Sequence, residues 1–206
     1  CPLAESGAPF IFMNAAGQMH DVTTMLHEGG HAVHSFLAHP LELSGFKEYP
    51  MEIAEVASMA MELMSMDEWE TFFTDAADLK RAKAHQLERV ITIFPWIAVI
   101  DKFQHWIYEH PVHTHEERTA TWNEILKEFQ DDVIDYSGLE AYRSNGWQRQ
   151  LHLFEVPFYY IEYGIAQLGA IGMWMQYKEN KQLAMDNYCN ALALGGTKTL
   201  PQLFET

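Results

Sequence analysis

Apolar residues recur along this chain mostly at helical spacing. Val22, Met25, Leu26, Val33, Phe36 and Leu37 keep one face apolar, which predicts a helix from about Val22 to Ala38 with Asp21 as its N-cap. Ile53, Ala54, Val56, Ala57, Ala60, Met61 and Met64 predict a second helix from Pro50 to Met66, with proline suited to a first turn. A long helical stretch is expected from Ala76 to about His110, kinked near Pro95. Glu116 to Tyr136 reads as another, and Phe158 to Tyr177 and Lys181 to Leu194 as a final pair that Gly195-Gly196 stops. Pro9-Phe10-Ile11-Phe12-Met13-Asn14 reads differently, as a short strand ended by Ala15-Ala16-Gly17. Such a strand could line a cleft as an edge and pair with an extended peptide. The expectation is therefore a mainly α fold with one short edge strand near its start, and no repeat is visible.

Composition narrows the class. At 206 residues and 48% hydrophobic content, one domain over residues 1–206 with a real core is expected. The apolar run from Val90 to Ile100 is too short to span a membrane and contains Pro95. A formal net charge of −16 argues against a nucleic-acid partner, which needs clustered Lys and Arg. The two cysteines, Cys1 and Cys189, imply no disulfide framework and fit a reducing, cytoplasmic setting.

The chemistry concentrates in His27-Glu28-Gly29-Gly30-His31. Histidines four apart share one helical face, so both imidazoles can converge on one Zn²⁺, and Glu28 beside them can reach a water on that metal. A catalytic zinc site needs a third protein ligand. One known plan places a histidine ten residues after the first, beyond a glycine turn. That position is Leu37 here and the turn glycine is missing, so this plan fails. The other plan draws a glutamate from a second helix. Glu52, Glu55 and Glu62 are the candidates on the helix from Pro50 to Met66, and Glu55 and Glu62 share a face. Glu55 follows His31 by 24 residues, enough for a helix end, a loop and an antiparallel return.

Taken together, His27-Glu28-Gly29-Gly30-His31-Ala32-Val33-His34 and Ile53-Ala54-Glu55-Val56-Ala57-Ser58 resemble the thimet oligopeptidase family of zinc peptidases, in its oligoendopeptidase F branch. A third block fits that resemblance: His152, then Pro157-Phe158-Tyr159-Tyr160-Ile161-Glu162-Tyr163-Gly164. The resemblance implies one Zn²⁺ held by His27, His31 and Glu55, with Glu28 as general base. It implies that His152, Tyr160 and Tyr163 contact the scissile carbonyl, with Tyr159 a further candidate. It implies an endopeptidase that hydrolyses internal bonds of short peptides through metal-activated water. The resemblance runs from Pro9 to Phe204 and covers only the catalytic part of such enzymes. The chain is therefore expected to be a single catalytic-domain fragment, with the remainder of the longer enzyme absent and its isolated activity poor.

Other features carry simpler readings. Glu62 is expected to orient a ligand histidine through its free N–H. His34 continues the face of the histidine pair but lies about 4.5 Å further along the axis, so it is expected in the core or behind the ligands. His105, His110, His113 and His115 read as a solvated helix end and loop rather than a second metal cluster. Two alternatives to the endopeptidase stand. One is a zinc carboxypeptidase of similar helical fold, whose third glutamate sits in a His-Glu-Ser context absent here. The other is an inactive peptide-binding remnant, against which the intact Glu28 and the tyrosine pair argue.

Overall fold

The computed structural model describes residues 7–130 and 133–206. Helix α1 spans Met19–Ala38, α2 Met51–Met64, α3 Ala76–Glu109, α4 His115–Phe129, α5 Glu140–Ser144, α6 His152–Glu155, α7 Tyr160–Glu179, α8 Lys181–Ala193 and α9 Leu200–Phe204. Short 3-10 turns at Ser44–Lys47, Ser65–Thr71 and Gly146–Arg149 join them. No helix is long and apolar enough to cross a membrane. The chain forms two compact units: Cys1–Glu88 with Ile165–Thr206, and Arg89–Gly164. Helices α3 and α7 each begin in one unit and end in the other.

In the first unit, α2 is buried on nearly every side, from Ile53 to Ala60 and again from Glu62 to Met64. Its small residues Ala54, Ala57, Ser58 and Ala60 let neighbouring helices come close. Helix α1 comes close at Gly30. A Cβ placed on Gly30 would stand 2.5 Å from both the Ala57 carbonyl oxygen and the Ser58 Cα, a separation real Cβ atoms do not tolerate. Glycine is thus required there by backbone proximity and not by its dihedral freedom. Helix α8 adds a fixed point, its buried Tyr188 hydroxyl donating to the Ala57 carbonyl at 2.7 Å. Val56 of α2 and Phe204 of α9 both crowd Gly169 of α7.

The second unit has its own core of Val99, Ile100, Phe103, Trp122, Ile125, Leu126 and Trp147. Trp122 packs edge-on against Phe103, with ring centroids 5.0 Å apart, and its indole N–H donates to the Arg143 carbonyl. Phe158, between α6 and α7, adopts φ 62°, a left-handed conformation that bulky residues seldom take.

Several sequence expectations need correction. Residues 9–14 form no strand, and none is present among the described residues. A strand needs a neighbouring strand for its backbone groups, and Phe12 in this segment remains 88% exposed. Asp21 does not cap α1. Helix α1 starts earlier, with Gln18 as N-cap, and Asp21 on the first turn accepts the backbone N–H groups of Gln18 at 2.7 Å and Ala16 at 2.9 Å. These bonds, that from Gln18 foremost, hold the Asp21 carboxyl below its ordinary range. Helix α4 ends at Phe129 and not near Tyr136: Gln130 is already extended, and Asp131 and Asp132, within the expected helix, lie outside the described residues. Helix α2 gives way to a 3-10 turn at Ser65.

The contrast between adjacent glycines is testable by denaturant melting. A Cβ at Gly29 meets nothing within 4 Å, so Gly29→Ala should stabilise the fold by up to ~1 kcal/mol through helix propensity. Gly30→Ala should instead destabilise it by about 1–3 kcal/mol, because the methyl group pushes α1 from α2. Equal shifts at both positions would refute the close contact.

Candidate active site

Helices α1 and α2 bring three predicted ligands to one place in the first unit. One donor atom each from His27, His31 and Glu55 lie within 4.8 Å of one another. The imidazoles meet edge to face, 4.9 Å between centroids, as expected for residues one turn apart. His27 Nε2 is 3.5 Å from Glu55 Oε2. Two donors bound 2.0–2.2 Å from one tetrahedral zinc stand about 3.4 Å apart. Two nitrogens, one carboxylate oxygen and this spacing fit a zinc ion.

A second row of contacts stands behind the cluster. His27 Nδ1–H donates to Glu62 Oε1 at 2.7 Å, so this ring turns Nε2 toward Glu55. The other oxygen, Glu62 Oε2, accepts from Gln86 Nε2 of α3, also at 2.7 Å. Ser58 donates to the Glu55 carbonyl at 2.9 Å and, more weakly, to its carboxylate at 3.3 Å. Glu62 thus has the place expected of it. Gln86 was not foreseen: a neutral amide inside a long helix gives no periodic signal.

The electrostatics of the cluster are uneven. Burial lowers the proton affinity of His27, but the hydrogen bond and charge of Glu62, with Glu55 and Glu28, outweigh it and hold the imidazole above its ordinary value. Burial, helped by the charge of His27, pulls His31 down to about 4, so that ring is neutral at pH 7 and ready to act as a ligand. Burial also raises Glu55, against His27 and Ser58. His34 is fully buried, stacked 3.5 Å from the Tyr49 ring, and neither ring nitrogen has a hydrogen-bond partner. Burial pushes it down to about 3, which makes it a neutral packing residue.

Glu28 and His31 face a cleft of about 460 Å³, lined also by Phe10, Lys47, Tyr49 and Met51. The segment expected as a strand therefore does line a cleft, without strand pairing. The His105–His115 group forms no cluster of donors: Arg118 Nε donates to His113 Nε2 at 2.7 Å, and His110 Nδ1 lies 3.0 Å from the Trp106 carbonyl. Among the described residues, the cluster of His27, His31 and Glu55 stands alone.

In the second unit, His152 meets three tyrosine rings. Its ring centroid is 5.0 Å from Tyr160, 5.6 Å from Tyr159 and 5.7 Å from Tyr163. His152 Nε2 and the Tyr163 hydroxyl are 3.3 Å apart. Burial raises the Tyr160 phenol, opposed by a hydrogen bond from Trp96, so the group keeps its proton and can donate it. Tyr160 and Tyr163, three apart on α7, stand 5.3 Å apart by ring centroid.

Comparison with known proteins converges on one family. The sequence pattern of Peptidase family M3 matches residues 3–206. The Oligoendopeptidase F homolog of Borreliella burgdorferi is 28% identical over 204 residues, covering 94% of this chain and 33% of its own length. Oligopeptidase PepF of Bacillus subtilis is 27% identical, covering 92% of this chain and 28% of its own. A solved structure of Pz peptidase A with an inhibitor superposes with a TM-score of 0.88 at 32% identity, covering 99% of this chain and 36% of that one. The chain thus spans about a third of the length of the relatives it matches.

If the three donors act together, His27→Ala should abolish stoichiometric zinc by metal analysis. Gly29→Ala, which adds no donor and removes none, should retain it. Full zinc retention in His27→Ala would refute the assignment.

Proposed function

The chain belongs to peptidase family M3, and from that membership we propose that it carries the catalytic machinery of a zinc endopeptidase acting on short peptides. The observation that carries this reading is the convergence of His27, His31 and Glu55 on one point, beside a cleft that Glu28 also faces. A zinc ion held by those three residues supplies Lewis acidity and a water of lowered pKa, toward ~7.

The chain's own residues do the rest. Glu62 holds His27 through Nδ1, so this ligand is presented through Nε2. The Glu28 carboxylate takes a proton from the water whose oxygen attacks the peptide carbonyl carbon. As the C–N bond breaks, Glu28 returns that proton to the leaving nitrogen. Tyr160 and Tyr163 donate hydrogen bonds to the carbonyl oxygen as it gains negative charge, with His152 assisting. One such donor is worth about 3 kcal/mol of barrier. The restriction to short peptides follows from the family, as does the part played by the rest of such an enzyme. A free thiol at Cys189 suits the reducing cytoplasm proposed for it.

Two experiments in a length-complete enzyme test these roles. Glu28→Gln should retain zinc while hydrolysis of a quenched short peptide falls by about 10²–10⁴-fold. Parental activity would mean that another group activates the water.

Tyr160→Phe and Tyr163→Phe remove a donor while leaving the ring. The loss should fall on kcat, by up to about 10²–10³-fold, with zinc content unchanged, because the bond strengthens only as charge builds on the oxygen. Tyr159→Phe is the comparison. Parental kcat in all three would make these tyrosines packing residues only.

A further inference from the structure

We propose that Trp96 and Gln150 are positioning residues that lock His152 in the tautomer carrying its proton on Nε2. His152 therefore enters the reaction as a hydrogen-bond donor and not as a base.

The argument runs along one chain of contacts, all inside the second unit. An indole N–H can only donate. The single N–H of Trp96 is shared between the Tyr160 hydroxyl and the Gln150 side chain 3.2 Å away, and the atom that faces it there is the amide oxygen, Oε1. This removes the usual ambiguity in the orientation of a glutamine amide. The amide nitrogen of Gln150 then points the other way, where it stands 2.6 Å from His152 Nδ1. An amide N–H also only donates, so Nδ1 must be the bare, accepting nitrogen of the imidazole. The ring's one proton sits on Nε2. From there it reaches the Tyr163 hydroxyl oxygen at 3.3 Å, which accepts and turns its own proton elsewhere.

Each member is held in place. Trp96 packs against the core of the second unit and meets Trp122 edge-on, with centroids 6.0 Å apart. Gln150 leaves the 3-10 turn Gly146–Arg149 as its C-cap, and its own backbone N–H is bound to the Trp147 carbonyl. A donor-only residue, an amide and an imidazole in sequence transmit one polarity from a half-buried indole to a catalytic candidate two residues from the amide.

The inference deepens the reading of His152 as a donor to the peptide carbonyl, but its test is independent of activity. The measurement is long-range ¹H–¹⁵N correlation NMR on the full chain with labelled histidine, with His152 assigned by the resonances lost in His152→Gln. The expected result at neutral and alkaline pH is an unprotonated Nδ1 and a protonated Nε2. Gln150→Glu exchanges the donor for an acceptor, so Nδ1 should become protonated. Trp96→Phe removes the donor that orients the amide, so the amide can turn over and both tautomers should populate. Thermal melts of both variants identify any that fail to fold, and Gln150→Glu carries the test if Trp96→Phe does. A protonated Nδ1 in the parent would overturn the proposal, as would an unchanged tautomer in folded Gln150→Glu. Failure of peptide hydrolysis with the expected tautomer intact would instead count against the proposed reaction.

Discussion

The contact of Gly30 with the backbone of α2 is the constraint on which the site depends. Two histidines one turn apart on α1 offer two candidate ligands and cannot offer a third from the same helix without a sharp turn. The third candidate comes from α2, and a glutamate side chain is short. Here its carboxylate meets the imidazoles where the two helix backbones approach more closely than a side chain at Gly30 would permit. A Cβ on Gly30 would stand 2.5 Å from the Ala57 carbonyl oxygen, which is why none is present. The same proximity carries Glu62, two turns beyond Glu55, to the far nitrogen of His27.

Close approach alone would bury carboxylates without compensation. Glu55 and Glu62 are both more than nine-tenths buried, and removing such charges from water is costly unless each is paired and hydrogen-bonded. The structure meets the need unequally. Glu62 is held at both oxygens, by His27 and by Gln86. Glu55 has His27 Nε2 at 3.5 Å and a weak bond from Ser58, and burial keeps its proton affinity raised. The less satisfied acid is the one assigned to a cation, and the better satisfied one is the one assigned to orientation.

What could be read from the sequence was what local periodicity encodes. Histidines at i and i+4 and glutamates seven apart are statements about a helical face, and His27, His31, Glu55 and Glu62 meet accordingly. The long helices were legible for the same reason. The errors arose where a partner outside the segment decides. Phe10 to Met13 is apolar enough for a strand, but backbone pairing needs a second strand, and none lies among the described residues. Gln86, Trp96 and Gln150 act through single hydrogen bonds to residues distant in sequence or across a turn, and no spacing rule marks them. Gly30 did carry a signal: a glycine in the middle of an amphipathic helix is a weakness unless something passes close by.

The first unit is built from two separated stretches of chain, and its two halves meet at the hydrogen bond from Tyr188 to Ala57, 131 residues apart in sequence. A ribosome adding roughly 5–20 residues each second needs about 7–26 s to cover that interval. Through all of that time α1 and α2 exist without α8 and α9, and the apolar surface of α2 that those helices cover is without them. The candidate ligands are therefore made before the helices that shelter the helix supporting them.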